Sequence, residues 1–400
     1  MKILMLDDDP FALKLLAAQL ANLGFRETLA RERGADAIRL LETEGEGIGL
    51  VFCDLQMPQM DGVEFVRRLA RIGFAGGLVL ISGEDKRILG TAEKLAKAHR
   101  LNVLGALHKP VSPEQLKQIL SKHPSPSAAT GGPRKRYPPE ELRRAIMDGM
   151  LVNYYQPKVH VASGVVAGVE TLVRWRHPED GLVFPDQFIA TAEEHGLIDD
   201  LTRVVLIDAL HQGRIWQDVG LNMHVAVNVS MDNLGSLGFP DLVVHELDKA
   251  GLHPENLVLE VTESRLMKDH LSALDVLTRL RLKRISLSID DFGTGHSSLA
   301  QLRDIPFDEL KVDRSFVHGA CRDSSLRAIF EASQGMAREL GMRMVSEGVE
   351  DRDDWNFLRA TGGDMAQGYF IAKPMPASVF NTWYVKWEGY RNELVAQSPT

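Results

Sequence analysis

The chain has 400 residues, 44% of them hydrophobic and 25% charged, enough for two domains that each bury a core. Its formal charge of −9 argues against a surface built to neutralise many nucleic-acid phosphates, so no DNA partner is expected and any phosphate-bearing ligand has to be met locally, by metal or by a few placed cations. Two cysteines, Cys53 and Cys321, do not make a disulfide framework.

The opening MKILML offers too few apolar residues for a signal-peptide core, and no apolar stretch approaches membrane-spanning length, so a cytoplasmic protein with no membrane partner is expected. Up to residue 122, the runs KILML, LVFC, GLVLIS and LNVLGAL alternate with helix-like stretches such as FALKLLAAQLANLG and VEFVRRLARIG. That alternation predicts an α/β domain with a doubly wound parallel sheet. Asp7 and Asp8 follow the first run, Asp54 follows LVFC, Ser82 ends GLVLIS, and Lys109 precedes Pro110. In such a sheet all of them face the crevice beyond the strands' carboxyl ends. Asp7 and Asp8 suit Mg²⁺, a hard ion that prefers oxygen; Asp54 could then attack a phosphoryl group, with Lys109 and Ser82 contacting the transferred oxygens. Asp9 before Pro10 reads instead as a helix N-cap with proline at the first helical position.

Residues 123–139, HPSPSAATGGPRKRYPP, are rich in Pro, Gly, Ser and Ala and read as an interdomain linker. Beyond it, over residues 140–395, strand-like and helix-like stretches alternate again for about 255 residues, the usual length of an eight-stranded α/β barrel of the TIM type. Glu170, Asn228, Glu260, the adjacent Asp290 and Asp291, Lys311, Glu347 and Gln367 each close or follow a short apolar run. They would converge if the strands run parallel in a closed barrel, which gathers the carboxyl ends on one face.

Hydrolysis of a phosphodiester at neutral pH needs charge neutralisation and a deprotonated water, and two divalent ions ~3.5–4 Å apart supply both. Asp290 and Asp291 suit shared ligation, because past a strand's end neighbouring side chains need not point to opposite faces. Glu170, Asn228 and Glu260 can complete the oxygen shell, Lys311 can hold the attacking water, and Glu347 is the candidate general base. DFGTGHSS after the paired aspartates is a glycine-bearing loop, and Glu263 is placed to fix it by accepting hydrogen bonds. Taken singly, each of these residues reads as a turn former or a solvated charge; it is their recurrence at strand ends that points to a site.

The motifs then carry two resemblances. ILMLDDDP, CDLQMPQMDG and HKP resemble the receiver domain of two-component response regulators, with a flavodoxin-like sheet, which implies Asp54 as phosphoacceptor, Asp7 and Asp8 as an Mg²⁺ pocket, Lys109 and Ser82 as phosphoryl contacts and a sensor histidine kinase as partner. NYYQPKV, ETLVRW, VAVNVS, LEVTES, IDDFGTGHSSL, LKVDRSFV, VSEGVE and AQGYFIAKPM resemble the EAL family of cyclic di-GMP phosphodiesterases over essentially all of 140–395. That likeness implies two Mg²⁺ or Mn²⁺ ions on Glu170, Asn228, Glu260, Asp290 and Asp291, water activation by Lys311 and Glu347, loop stabilisation by Glu263, and substrate contacts from Gln156, Arg174 and Gln367. Both resemblances imply a homodimer or higher homo-oligomer.

The chain departs from the patterns at Ala106, where receivers carry Tyr or Phe as part of a switch, at Thr171, which replaces the alanine of the EAL triplet, and at His296, where the loop often has Tyr. GGDM at 362–365 is read as the lead-in to a barrel strand and not as a cyclase motif. The expectation is a response regulator whose receiver governs cleavage of cyclic di-GMP to pGpG. The rival readings are a catalytically silent cyclic di-GMP receptor and a receiver that serves only assembly.

Overall fold

The computed structural model describes residues 2–44, 47–83, 86–121, 136–262, 270–293 and 305–396. They form two compact units divided after Gly132.

In the first unit, strands β1 (Lys2–Leu6), β2 (Thr28–Arg31), β3 (Ile48–Asp54), β4 (Gly77–Ser82) and β5 (Asn102–His108) pair in parallel in the order β2-β1-β3-β4-β5. This is a doubly wound sheet with its switch point between β1 and β3, the place where such sheets hold ligands. β4 is buried along its whole length and β3 nearly so, as strands covered by helices on both faces must be. β2, with the sequence TLAR, is only partly buried, so its hydropathy carries little strand signal. Asp9 caps the helix Pro10–Asn22 as its sequence implies, its carboxylate accepting the Phe11 N–H at 2.8 Å with Pro10 in the first turn. Ala106 pairs with Leu80 and packs, partly buried, against the core around Phe65, Leu80 and Leu89.

The second unit contains β6 (Leu151–His160), β7 (Val166–His177), β8 (Gly181–Val183), β9 (His224–Val229), β10 (Leu257–Thr262), β11 (Ser286–Phe292), β12 (Glu309–Val312), β13 (Arg343–Ser346), β14 (Met365–Ala366) and β15 (Met375–Pro376). All but β8 and β15 form a ring of eight that the β6–β7 pairing closes. The ring is not wholly parallel: β6 runs antiparallel to both its neighbours, β7 and β14. The cause is local. Only residues 161–165 separate β6 from β7, a turn with Gly164 at φ 66°, whereas a parallel crossover needs about a dozen residues or more. β7 then runs on to His177 and pairs with β8, so Glu170 lies within its strand and not at the end; Glu260 likewise sits two residues before the end of β10.

Helices pack outside the ring. The longest described one, Ile198–Asp218, buries Leu201, Val205, Ala209 and Trp216 at helical spacing, and the Trp216 ring meets Tyr155 of β6 edge-on at 4.9 Å and Phe380 at 4.7 Å. Tyr137, inside the stretch read as linker, belongs to this unit: it is buried, its ring lies 4.7 Å from that of Trp175, and its hydroxyl donates to Asp180 at 2.9 Å. None of the described helices is long and apolar enough to cross a membrane.

Candidate active site

Side chains alternate along a strand, so one parity of each barrel strand faces the interior. Gln156 and Lys158 of β6, Glu170 of β7, Glu260 of β10, Ser288 and Asp290 of β11, and Glu309 and Lys311 of β12 share that interior face, and all but Gln156 are linked to another of the set by a hydrogen bond or ion pair. Lys311 is 1% exposed, and its Nζ lies 2.7 Å from Glu347, 3.0 Å from both Glu260 and Asp290, and 3.4 Å from Glu170. Asn228 donates to Glu170 Oε1 at 3.0 Å; Gln367 donates its Nε2 to Glu170 Oε2 at 2.6 Å and to Gln156 Oε1 at 3.1 Å. Gln156 in turn donates to the Ala372 carbonyl at 3.0 Å.

The paired aspartates sit where β11 breaks register. Ile289 pairs with Leu310 and Phe292 with Val312, so two aspartates oppose Lys311 alone. Asp291 absorbs the extra residue with φ 57°, a left-handed conformation that aspartate tolerates better than most residues. The bulge brings both carboxylates to one cavity, Asp290 buried and Asp291 exposed. Carboxylate oxygens of Asp290, Asp291 and Glu347 all lie within 4.8 Å of one another, as do those of Glu170, Glu260 and Asp290, which makes Asp290 common to both sets.

Burial drives the electrostatics. It pushes Glu260 up to about 7 against the opposing pull of Lys311, and Glu347 up to about 8. Asp291 rises to about 6, through desolvation and then the neighbouring Asp290. Lys311 rises well above the usual lysine value, its burial outweighed by Asp290, Glu170, Glu260 and Glu347. Carboxylates outnumber ammoniums here, and the donors are almost all oxygens, a set that fits hard divalent cations.

The acid-lined cavity has a volume of about 320 Å³, and Arg314, Glu350 and Tyr369 join the acids and amides on its wall. A second, mainly apolar cavity of about 290 Å³ shares Leu172 with it and is lined by Thr171, Pro185, Ile189 and Asn228 among others. Arg174 does not line the acidic cavity. Its guanidinium lies 4.8 Å from the Phe184 ring centroid and donates to the Val173 carbonyl at 2.9 Å. Thr171 is on the opposite pleat face from Glu170, leaving that carboxylate in place, and its buried hydroxyl has no partner. Glu263 and His296 lie outside the described residues.

Two interior residues were given no role from the sequence, although Lys158 lies within NYYQPKV. Lys158, 2% exposed, donates to Glu260 Oε1 at 3.2 Å and to Glu309 Oε1 at 2.9 Å, and Glu309 also accepts from Ser288 at 3.1 Å. The signal was there: each stands two residues from a predicted site residue in the same strand, Lys158 from Gln156 and Glu309 from Lys311, hence on the same face.

In the first unit, Asp7, Asp8 and Asp54 offer oxygens within 4.8 Å of one another. Lys109 lies 2.8 Å from Asp7 and 3.0 Å from Asp54. Asp54 is 2% exposed, burial raises its carboxyl above the usual value, and its Oδ1 is buried without a hydrogen-bond partner, so the cluster suits a cation. Ser82 is fully buried beside it at the end of β4, with Ile81 paired to Asp54.

These observations define a doubly wound domain with an acidic crevice, joined in one chain to an acid-lined α/β barrel. Residues 3–121 match the response regulator receiver domain and residues 139–374 the EAL domain, and the chain belongs to the EAL domain family with a receiver domain at its amino end. It is 31% identical over 391 residues to the cyclic di-GMP phosphodiesterase RocR of Pseudomonas aeruginosa, an alignment covering 95% of this chain and 97% of RocR. It is 45% identical over 238 residues to the cyclic di-GMP phosphodiesterase NbdA of the same organism, 59% of this chain and 30% of NbdA. Among solved structures, the PaMucR phosphodiesterase in complex with cyclic di-GMP superposes with a TM-score of 0.58 at 41% identity, covering 60% of this chain and 98% of that one.

Proposed function

We propose that the barrel hydrolyses cyclic di-GMP to pGpG and that the receiver controls it through phosphorylation of Asp54. The observation that carries the catalytic reading is Asp290, shared between two oxygen clusters within reach of a buried lysine and a carboxylate. Glu170, Asn228, Glu260, Asp290 and Asp291 would hold two Mg²⁺ or Mn²⁺ ions, which when bound supply charge neutralisation at the phosphodiester and lower the pKa of a coordinated water. Lys311 donates hydrogen bonds to orient the attacking water, and a carboxylate oxygen of Glu347 takes its proton. The amide of Gln367 holds Glu170 in place, Gln156 accepts from Gln367, and both present polar groups to the substrate. The apolar cavity beside Leu172 gives a base room next to the phosphate-facing one. All the predicted barrel ligands are present, which favours turnover over silent binding.

In the receiver, Asp7 and Asp8 would hold Mg²⁺, Asp54 accepts a phosphoryl group from a sensor histidine kinase, and Lys109 and Ser82 contact its oxygens. A cytoplasmic homodimer is the proposed working form. The deciding experiment incubates purified protein with cyclic di-GMP and Mg²⁺ or Mn²⁺ and follows pGpG by chromatography. Tight binding without turnover would overturn the catalytic reading.

A further inference from the structure

Asp354 is buried in the first turn of the helix Arg352–Thr361, not itself on the wall of the acid-lined cavity, and its carboxylate reaches two segments that carry the water-handling residues. Oδ1 accepts the Gly319 N–H at 3.0 Å, in the turn after the helix Arg314–Val317 that follows β12 and Lys311. Oδ2 accepts the Glu350 N–H at 3.0 Å, in the loop that leaves β13 and holds Glu347. The same oxygen lies 2.8 Å from His318 Nδ1. The Asp354 N–H is itself held by the Asp351 carboxylate at 2.9 Å. One carboxylate thus ties β12, β13 and the following helix together.

His318 is about half exposed, and the charged groups facing it come from several segments. Its Nε2 lies 3.8 Å from Glu350 Oε2, and Asp351 and Asp354 add negative charge. Arg314, from its own helix, pairs with Glu350 at 2.6 Å, while Arg322 is engaged by Asp353 and lies 3.9 Å from Asp351. Neither His318 nor Asp354 lines the cavity. Their reach toward the site is through the Gly319 and Glu350 backbone that Asp354 holds.

We propose that Asp354 and His318 form a positioning pair that sets the Glu347 loop against the Lys311 strand, with protonated His318 completing the clamp between Asp354 and Glu350. The inference rests on Glu347 and Lys311 being the water-activating pair. The hydrogen bond to Asp354, and then its charge, hold the imidazole above its ordinary value, so the clamp loosens as pH rises past the usual histidine range. A misplacement of about 1 Å is enough to cost turnover, because the general base must sit within hydrogen-bond reach of its proton.

The test uses the full chain with Asp354→Asn and His318→Gln, read by amide hydrogen exchange at Gly319 and Glu350 and by cyclic di-GMP turnover across pH. Asp354→Asn is expected to lose protection at both amides and to lower kcat by about tenfold or more, with KM within about threefold. His318→Gln is expected to flatten the alkaline decline of kcat. Wild-type exchange at Glu350 in Asp354→Asn, or a wild-type pH profile in His318→Gln, overturns the proposal. If the wild type itself shows no turnover, the catalytic reading fails while the exchange measurement still decides the pair. If Asp354→Asn does not fold, His318→Gln, altered at an exposed ring, carries the test.

Discussion

Lys158 and Lys311 divide the two oxygens of Glu260 between them, Lys158 taking Oε1 at 3.2 Å and Lys311 taking Oε2 at 3.0 Å. Glu260 has no solvent exposure, so these ammoniums are what keep a charge tolerable in the middle of the ring. Replacing Lys158 by Met would leave Glu260 and Glu309 short of a counter-ion. The variant is expected to be destabilised by about 3–5 kcal/mol in urea unfolding; an unchanged midpoint and slope would show that Lys158 matters little.

Asp290 belongs to both oxygen clusters, so Asp290→Asn should impair both at once. Turnover is expected to drop by about 10³-fold or more, and calorimetric Mn²⁺ titration should show loss of both binding events. A variant that still binds two equivalents would refute the shared role.

Asp54→Asn removes the carboxylate whose Oδ1 is unpartnered, while the Lys109–Asp7 contact can persist. With acetyl phosphate, the wild type is expected to gain a retarded band on a phosphate-affinity gel and the variant none. Turnover measured on the same samples reports whether the modification is coupled to the barrel.

Gly368 directly follows Gln367, and a Cβ there would overlap the Val349 backbone. Gly368→Ala should therefore push apart the loops after β13 and β14, with a loss of about 1–3 kcal/mol by chemical unfolding and a fall in turnover. Full stability would mean that these loops can separate freely.

The Asp354–His318 pair also predicts a pH window for stability. Asp354, held below its ordinary value by His318 against the effect of burial, contributes stability that is present above about pH 3.9 and lost as pH falls through its lowered folded value. His318, raised by Asp354, contributes below about pH 6.5 and loses that contribution as pH rises through its raised value. The difference in Tm between wild type and Asp354→Asn is expected to be largest between about pH 4 and 6.5 and to shrink above it. A difference that stays constant from pH 4 to 9 would exclude the linkage.

The class of both folds was legible because their strands are short apolar runs with polar residues at regular places, and the barrel acids announced themselves by recurring at those places. The direction of β6 was not: hydropathy says that a strand exists, whereas its sense follows from the five residues that link it to β7. Lys158 and Glu309 were passed over because a charge inside an apolar run looks like an outward-facing residue until a partner across the ring is known. That Asp290 and Asp291 need not point to opposite faces was legible from their place near a strand's end; the device that brings their oxygens together, a bulge with a left-handed aspartate, was not. Arg174 shows the converse, since a cation named by motif can lie against aromatic rings instead of on the cavity wall.

The reversed β6 changes where the polypeptide enters the barrel. Its first residue, Leu151, pairs with Trp175 near the far end of β7, and the carbonyl of Met150 just before it accepts the Arg176 N–H at 2.9 Å. In a ring of uniformly parallel strands the incoming chain would arrive at the floor, remote from the acids. Here it arrives at the brim, so the helix Pro139–Met147 feeds into the barrel where β6 begins beside the end of β7, five residues along each strand from the Gln156–Glu170 pair.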